Sequence, residues 1–186
     1  MQFITKENIK SIKRHCYFDE TLNNYHVNLN TAIYNNTVKL MMLAKQYLNK
    51  EVICLMDNNN LNNIGFNTSY STNEVRMSDN MIRALLYGNT TFTAIHNHVD
   101  DNTFSLIDVV TFLTYAKLTT MIICTNSCKY SAACYKNKRI PNLIIHINQV
   151  INFMISKGVV DGHKSGLSLI KILSKLGILY VEYINY

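Results

Sequence analysis

Proline, tryptophan and glycine are scarce: the 186 residues include one proline, no tryptophan and six glycines. With so much asparagine, lysine, isoleucine and tyrosine, this indicates an A+T-rich coding sequence and says nothing about activity. The chain also has no internal repeat and no linker that would divide it. We therefore predict one domain spanning residues 1–186.

Cysteine is also limited, with five residues, an odd number. That number argues against a disulfide framework. Cys54 and Cys124 lie in apolar, strand-like runs and are predicted to be small core residues. Cys124, Cys128 and Cys134 lack a C-x-x-C spacing, which argues against a cysteine zinc site there.

Long apolar runs are also absent, since none approaches the roughly 20 residues that span a bilayer. The N-terminus, M-Q-F-I-T-K-E-N, is mixed and polar, unlike a signal peptide. These features predict a cytoplasmic protein with no membrane partner.

Acidic residues are scarce in the last third of the chain. Residues 1–116 carry 9 Lys/Arg against 10 Asp/Glu, whereas residues 117–186 carry 9 against 2, so the net charge of +6 resides there. Such a basic patch could contact nucleic acid or an acidic protein. The alternative is a solvated face of two helices and a hairpin, and the sequence leaves both open.

Hydrophobic periodicity predicts alternating helices and strands. Helices are expected over residues 5–16 or 7–16, 31–48, 78–87, 105–117, 142–156 and 165–176. Ser78 is expected to cap the third helix and Gly88 to end it, and Pro141 suits the first position of the fifth. Strands are expected over residues 51–56, 91–95, 119–125, 129–135 and 178–184, with a weakly patterned strand pair at 62–66 and 68–71. Residues 17–30 are predicted to be irregular and residues 159–164 to form a loop. This order predicts an α/β fold with a mixed β-sheet flanked by helices.

One stretch contains the residues that could form a reactive site: T-F-T-A-I-H-N-H-V-D-D-N-T-F-S-L-I-D, at residues 91–108. It predicts a buried strand ending in His96 and His98, a six-residue loop, and a helix that opens at Ser105. Side chains two apart on a strand point to one side, so both imidazoles can reach one ion, and Asp108 can close on them from the helix. Two histidines and a carboxylate with one position left for water form a catalytic zinc site. Ser105 and Asp108 also have the spacing of a helix capping box, and the two roles are compatible.

These motifs resemble the JAB/MPN (JAMM) zinc metalloproteases, most of all their RadC-like bacterial branch. The family pattern is an upstream strand glutamate, then His-x-His-Pro, a loop and Ser-x-x-Asp. The matching residues are Glu51 in K-E-V-I-C-L-M-D, the two histidines of H-N-H, and Ser105 and Asp108 in S-L-I-D. Val99 replaces the proline, and the loop has six residues where the family usually has seven. The resemblance covers roughly Lys39 to Asn137.

The resemblance implies a cytidine-deaminase-like JAB/MPN sandwich. Its core would span about residues 31–137, with an N-terminal helical lead-in and a C-terminal helical extension. It implies one Zn²⁺ per chain held by His96, His98 and Asp108, with Glu51 as general base and Ser105 as hydrogen-bond donor to the oxyanion. Glu74 is the fallback base. Because the shorter loop could shift Asp108 by up to ~3.5 Å of chain, Asp100 or Asp101 is kept as a substitute ligand.

The expected activity is zinc-dependent hydrolysis of amide or isopeptide bonds in a protein or peptide substrate, such as the C-terminal tail of a ubiquitin-like protein. Two alternatives stay open: a JAB/MPN scaffold or binding module without catalysis, and a RadC-like DNA-processing partner that binds nucleic acid. Residues 1–30 and 140–186 would cover a groove, form a homodimer contact or complete the core.

Overall fold

The computed structural model describes residues 3–12, 27–69, 75–127, 129–135, 141–158 and 162–184. These residues form six helices and one six-stranded sheet. The helices are α1 (Lys6–Ser11), α2 (Val27–Gln46), α3 (Asp79–Tyr87), α4 (Leu106–Thr114), α5 (Pro141–Ser156) and α6 (Gly162–Lys175). The strands are β1 (Val52–Asp57), β2 (Asn63–Thr68), β3 (Phe92–His98), β4 (Leu118–Thr125), β5 (Tyr130–Tyr135) and β6 (Leu179–Ile184).

The sheet has the strand order β2-β1-β3-β4-β5-β6. β3 and β4 are parallel, and α4 lies on the connection between them; every other neighbouring pair is antiparallel. A parallel pair needs a crossover, because a tight turn can only reverse the chain. The α/β class with a mixed sheet flanked by helices is therefore confirmed, and β3, the strand that ends in the two histidines, lies inside the sheet.

Each face of the sheet carries its own hydrophobic core, because alternate side chains of a buried strand point to opposite faces. One core contains Leu55, Ala94 and Met121, and helices α3 to α6 cover it. The other contains Ile95 and Ile122 with helix α2. The second core also holds Cys54 and Cys124, both fully buried, so their predicted role as core residues is confirmed.

Several predicted boundaries are confirmed. Helix α3 begins after Ser78, whose side chain accepts from the Met81 N–H, and its C-cap is Gly88. Pro141 is the first residue of α5. Strands β1, β4, β5 and β6 lie within one residue of their predicted limits.

Other predicted boundaries are wrong. Helix α2 begins at Val27, inside the stretch predicted to be irregular, because burial of Leu29 adds a turn that the polar sequence did not indicate. Two short strands were predicted over residues 62–66 and 68–71. The described residues there form one strand, β2, which pairs with β1. Helix α4 ends at Thr114 instead of 117, and α6 begins at Gly162 inside the predicted loop. Residues 13–26, 70–74 and 159–161 lie outside the described part.

The C-terminal segment completes the core. β6 pairs with β5 along its length, and Ile151, Ile170 and Leu173 are buried in the same core as α4. Residues 141–184 thus contribute a strand and two helices to the domain that holds the motif. Among the described residues, no helix is both long and apolar enough to cross a bilayer.

Candidate metal centre

His96 and His98 lie at the carboxyl end of β3. The antiparallel register with β1 pairs Ile53 with His96, so the imidazoles lie on the face of the sheet that Ile53 occupies. That face carries helix α4. The predicted common direction of the two side chains is confirmed: the rings stack with centroids 4.8 Å apart.

Asp108 is delivered by the first turn of α4. Ser105 is the N-cap: its hydroxyl oxygen accepts from the Asp108 N–H at 3.2 Å, and Asp108 Oδ2 accepts from the Ser105 N–H at 2.6 Å. Both bonds of the predicted capping box are thus present. Because the box fixes the Asp108 rotamer, capping and ligation act together, as the sequence suggested.

The three side chains converge on one point. Nε2 of His96 lies 3.3 Å from Asp108 Oδ1, and Nε2 of His98 lies 3.3 Å from Asp108 Oδ2. The two Nε2 atoms are 2.9 Å apart. All three residues are buried, with exposed fractions of 5%, 8% and 8% for His96, His98 and Asp108. Among the described residues, they form a group whose ligand atoms lie within 4.8 Å of one another.

A hydrogen bond at Nδ1, the ring nitrogen that does not face Asp108, sets the tautomer of His98. Its Nδ1 lies 3.0 Å from the Asn102 carbonyl oxygen. A carbonyl can only accept, so Nδ1 carries a hydrogen, and in neutral His98 the Nε2 lone pair faces the other two ligands. Metal-binding histidines are commonly oriented by such a bond.

The ionisation of the three groups is coupled. Burial alone would raise the pKa of Asp108, but the two histidines and the Ser105 bond outweigh burial and hold that pKa well below its usual range. Burial would lower the pKa of His98, but Asp108 raises it to about 9, whereas burial lowers the pKa of His96 to about 4. Without metal, the carboxylate is therefore balanced by one proton on His98, the position where a cation would take over the positive charge.

The short loop between His98 and Ser105 does not displace Asp108. Asp101 anchors it to the end of β4, through a 2.7 Å ion pair with Lys129 and a short hydrogen bond from Ser127. Val99, at the position of the family proline, and Phe104 are buried at the two ends of the loop. Asp101 is thus engaged elsewhere and is not a substitute ligand. The Asp100 carboxylate accepts from Asn102 and is likewise not in the group of three.

Glu51 immediately precedes β1. Glu51 lies two residues before Ile53, the partner of His96, so the alternation of side chains directs it to the same face of the sheet. Its charge interacts with that of His98. The Val75 N–H donates to its carboxylate. Burial raises the pKa of Glu51 to about 7, and the charges of Asp108 and Asp100 add to this effect while His98 and the Val75 bond oppose it. The fallback base, Glu74, lies outside the described residues.

Ser105 is half-buried beside Asp108. Its hydroxyl oxygen accepts from the Asp108 N–H, and its side chain also hydrogen-bonds the Asp108 carboxylate, which lowers the pKa of that carboxyl. Its predicted contact with an oxyanion stays a prediction.

Two contributors to the site were not identified from the sequence. Gly166 in α6 packs against the start of α4 so closely that a Cβ there would lie 2.3 Å from the Phe104 carbonyl oxygen and 2.3 Å from the Ser105 carbonyl carbon. Asn126, fully buried after β4, donates its N–H to the His98 carbonyl oxygen at 3.0 Å. A glycine inside a predicted helix was the available signal for Gly166; Asn126 offered none.

The donor set fits zinc. Zinc bonds of about 2.0–2.1 Å in a tetrahedron place neighbouring ligand atoms about 3.3 Å apart. The two Nε2 atoms are 2.9 Å apart, and each lies 3.3 Å from a different oxygen of the Asp108 carboxylate. These separations are close to those around a tetrahedral ion, and three protein ligands leave its fourth corner to another ligand. A buried His-His-Asp group that can hold a metal ion is therefore present.

Comparison of the chain with protein-family models, with curated proteins and with solved structures finds no match. The resemblance to JAB/MPN proteases stays a prediction, and the site is interpreted from its own geometry.

Proposed function

We propose that this chain is a zinc-dependent hydrolase of amide or isopeptide bonds, with a JAB/MPN-like site. The observation that supports this proposal best is the convergence of His96, His98 and Asp108, with Glu51 close enough to interact electrostatically with His98. Two histidines and one carboxylate with an open position are the ligand set of several zinc hydrolases.

Zinc bound by these ligands would lower the pKa of a coordinated water toward about 7 and polarise a carbonyl group. Glu51 would take the proton that the attacking water loses as its oxygen bonds to the carbonyl carbon. Glu51 would then give this proton to the amine nitrogen as the C–N bond breaks. A pKa of about 7 suits a carboxylate to both transfers near neutral pH.

Ser105 would donate its hydroxyl hydrogen to the carbonyl oxygen while negative charge develops on that oxygen. Its place as N-cap holds the hydroxyl at a constant position relative to Asp108. For the substrate we retain the C-terminal tail of a ubiquitin-like or other small protein, bound in extended form.

Metal analysis and hydrolysis together test the proposal. The purified protein should hold about one zinc per chain, Asp108→Asn should lose it, and Glu51→Gln should keep it but lose hydrolysis of peptide- and isopeptide-linked model substrates. Glu7→Gln, an exposed change on α1, is the matched control and should change neither.

Three results would count against the proposal. A folded protein without metal would leave a binding module with this architecture. Bound zinc with hydrolysis that survives Glu51→Gln would remove Glu51 from the reaction. Bound iron in place of zinc would indicate the oxygenase chemistry that two histidines and one carboxylate also support.

A further inference from the structure

Asn97 stands between the two metal-binding histidines and points to the other face of the sheet. It is fully buried, with 0% exposure, among apolar residues such as Cys54 and Ile95. A buried carboxamide without hydrogen bonds costs free energy, so its partners indicate why the structure tolerates it.

Those partners are the peptide groups on either side of Glu51. Asn97 Oδ1 accepts from the Val52 N–H at 2.7 Å, and Asn97 Nδ2 donates to the Lys50 carbonyl oxygen at 3.4 Å. The Glu51 carbonyl oxygen accepts from the Ser69 N–H of the neighbouring chain segment at 3.0 Å. Asn97 therefore holds the main chain of Glu51 from both sides.

The same carboxamide is anchored to the histidine strand through Asn126. Asn97 Nδ2 also donates to Asn126 Oδ1 at 3.1 Å, and the Asn126 N–H donates to the His98 carbonyl oxygen at 3.0 Å. Both asparagines are fully buried. One short network thus joins the main chain of Glu51 to the main chain of His98.

The geometry points to Asn97 as a positioning residue that fixes Glu51 relative to the metal ligands. This inference rests on the proposed function of Glu51 as general base. The hydrogen bonds that support it are observed independently of that function. Sheet pairing alone does not fix Glu51, because the β1–β3 pairing ends at Ile53 and His96, two residues short of Glu51. Beyond Ile53, the Asn97 side chain supplies the hydrogen bonds between the two chain segments.

The test compares cobalt-substituted wild type with Glu51→Ala, Asn97→Ala and the double variant at one pH. Co²⁺ is the probe because its visible absorption responds to the ligands and solvent around the ion. We expect all four proteins to bind one Co²⁺, Asn97→Ala to show the altered spectrum of Glu51→Ala, and the double variant to show no further change. Non-additivity of this kind is expected of residues that act through one another.

Asn36→Ala is the matched control. Asn36 is also buried on this side of the sheet and donates to the Ala32 carbonyl oxygen at 3.0 Å, but it bonds no group next to Glu51. It should keep the wild-type spectrum. A wild-type spectrum for Asn97→Ala, or an effect that adds to that of Glu51→Ala, would reduce Asn97 to a structural residue.

Amide hydrogen exchange keeps the two proposals distinguishable. Exchange at Val52 should speed up at least about tenfold in Asn97→Ala and stay unchanged in Asn36→Ala, whether or not the protein hydrolyses any substrate. Unchanged exchange at Val52 would overturn the inference. Should Asn97→Ala fail to fold, Asn97→Asp carries the spectroscopic comparison. Its carboxylate still accepts from the Val52 N–H, so exchange at Val52 should stay slow, but it cannot donate to Lys50 or Asn126, and its spectrum should move toward that of Glu51→Ala; a wild-type spectrum would contradict the inference.

Discussion

At the scale of single residues, His98 determines how the site exchanges a proton for a metal. Without metal it keeps a proton to high pH, because Asp108 raises its pKa to about 9 against the opposing effect of burial. His96, with a pKa of about 4, is neutral near pH 7. A zinc ion bound as proposed would therefore have to displace the proton of His98.

This displacement predicts the pH dependence of zinc binding. Because the folded pKa of His98 lies above neutrality, the proton competes with zinc at every pH below about 9. The affinity for zinc should rise about tenfold for each pH unit between pH 6 and 8, with about one proton released per zinc. Calorimetric titration in buffers of different ionisation enthalpy measures this release.

The titration is simpler to interpret in the Glu51→Gln variant. This variant removes Glu51, whose pKa of about 7 lies within the pH range that is measured. Zinc affinity that is independent of pH from 6 to 8 in this variant would contradict the assignment of the proton to His98.

At the scale of elements, the site depends on the angle at which α4 meets the end of β3. Helix α6 supports that angle, because Gly166 allows it to approach the residues that open α4. The loop anchor between Asp101 and Lys129 supports it from the side of β4. Neither contact involves a metal ligand.

Gly166→Ala should therefore disturb the site from a distance. The added methyl group would lie 2.3 Å from main-chain atoms of Phe104 and Ser105, so α4 or α6 must move. We expect a loss of about 1–3 kcal/mol in the free energy of unfolding and weaker zinc binding. Urea unfolding and zinc titration measure the two effects.

Lys171→Ala, an exposed change on the same helix, is the control and should alter neither quantity. Zinc affinity and stability that both survive Gly166→Ala would show that the two helices separate without cost to the site.

At the scale of the molecule, charge is divided unequally. Helices α5 and α6 contain no acidic residue, and Lys157, Lys171 and Lys175 are exposed. Lys171 and Lys175 lie one turn apart on α6 and share a face. The sequence left open whether this charge meets a polyanion or only solvent.

A nucleic-acid partner predicts salt-dependent binding to duplex DNA. Affinity should fall steeply between ~50 and ~200 mM salt, as counterion release requires. Lys171→Glu with Lys175→Glu should weaken binding more than Lys6→Glu with Lys10→Glu, the same charge change on α1. Fluorescence anisotropy with a labelled duplex measures both the salt dependence and the effect of the substitutions. No detectable binding at ~50 mM salt would indicate that these lysines contact only solvent.

Much of the architecture could be predicted from periodicity, because strands buried on both faces are continuous apolar runs and caps have local chemistry. Strands β1 and β4 correspond to the apolar runs E-V-I-C-L-M and M-I-I-C. Helix ends lie at Ser78, Gly88 and Pro141. The start of α2 could not be predicted, because it depends on burial of Leu29 against distant residues.

The amino-acid sequence by itself determined the ligand types, their spacing and the capping box, since a two-residue period on a strand and a three-residue step into a helix are local geometry. Only the tertiary structure decided that the short loop brings Asp108 within 3.3 Å of both imidazoles. It also decided that Glu51 lies near His98 and that Asn97 and Gly166 hold the main chain around the site. These last contacts join residues far apart in the sequence, such as Asn97 and Val52, 45 positions apart. They are set by strand pairing and helix packing, which no local pattern encodes.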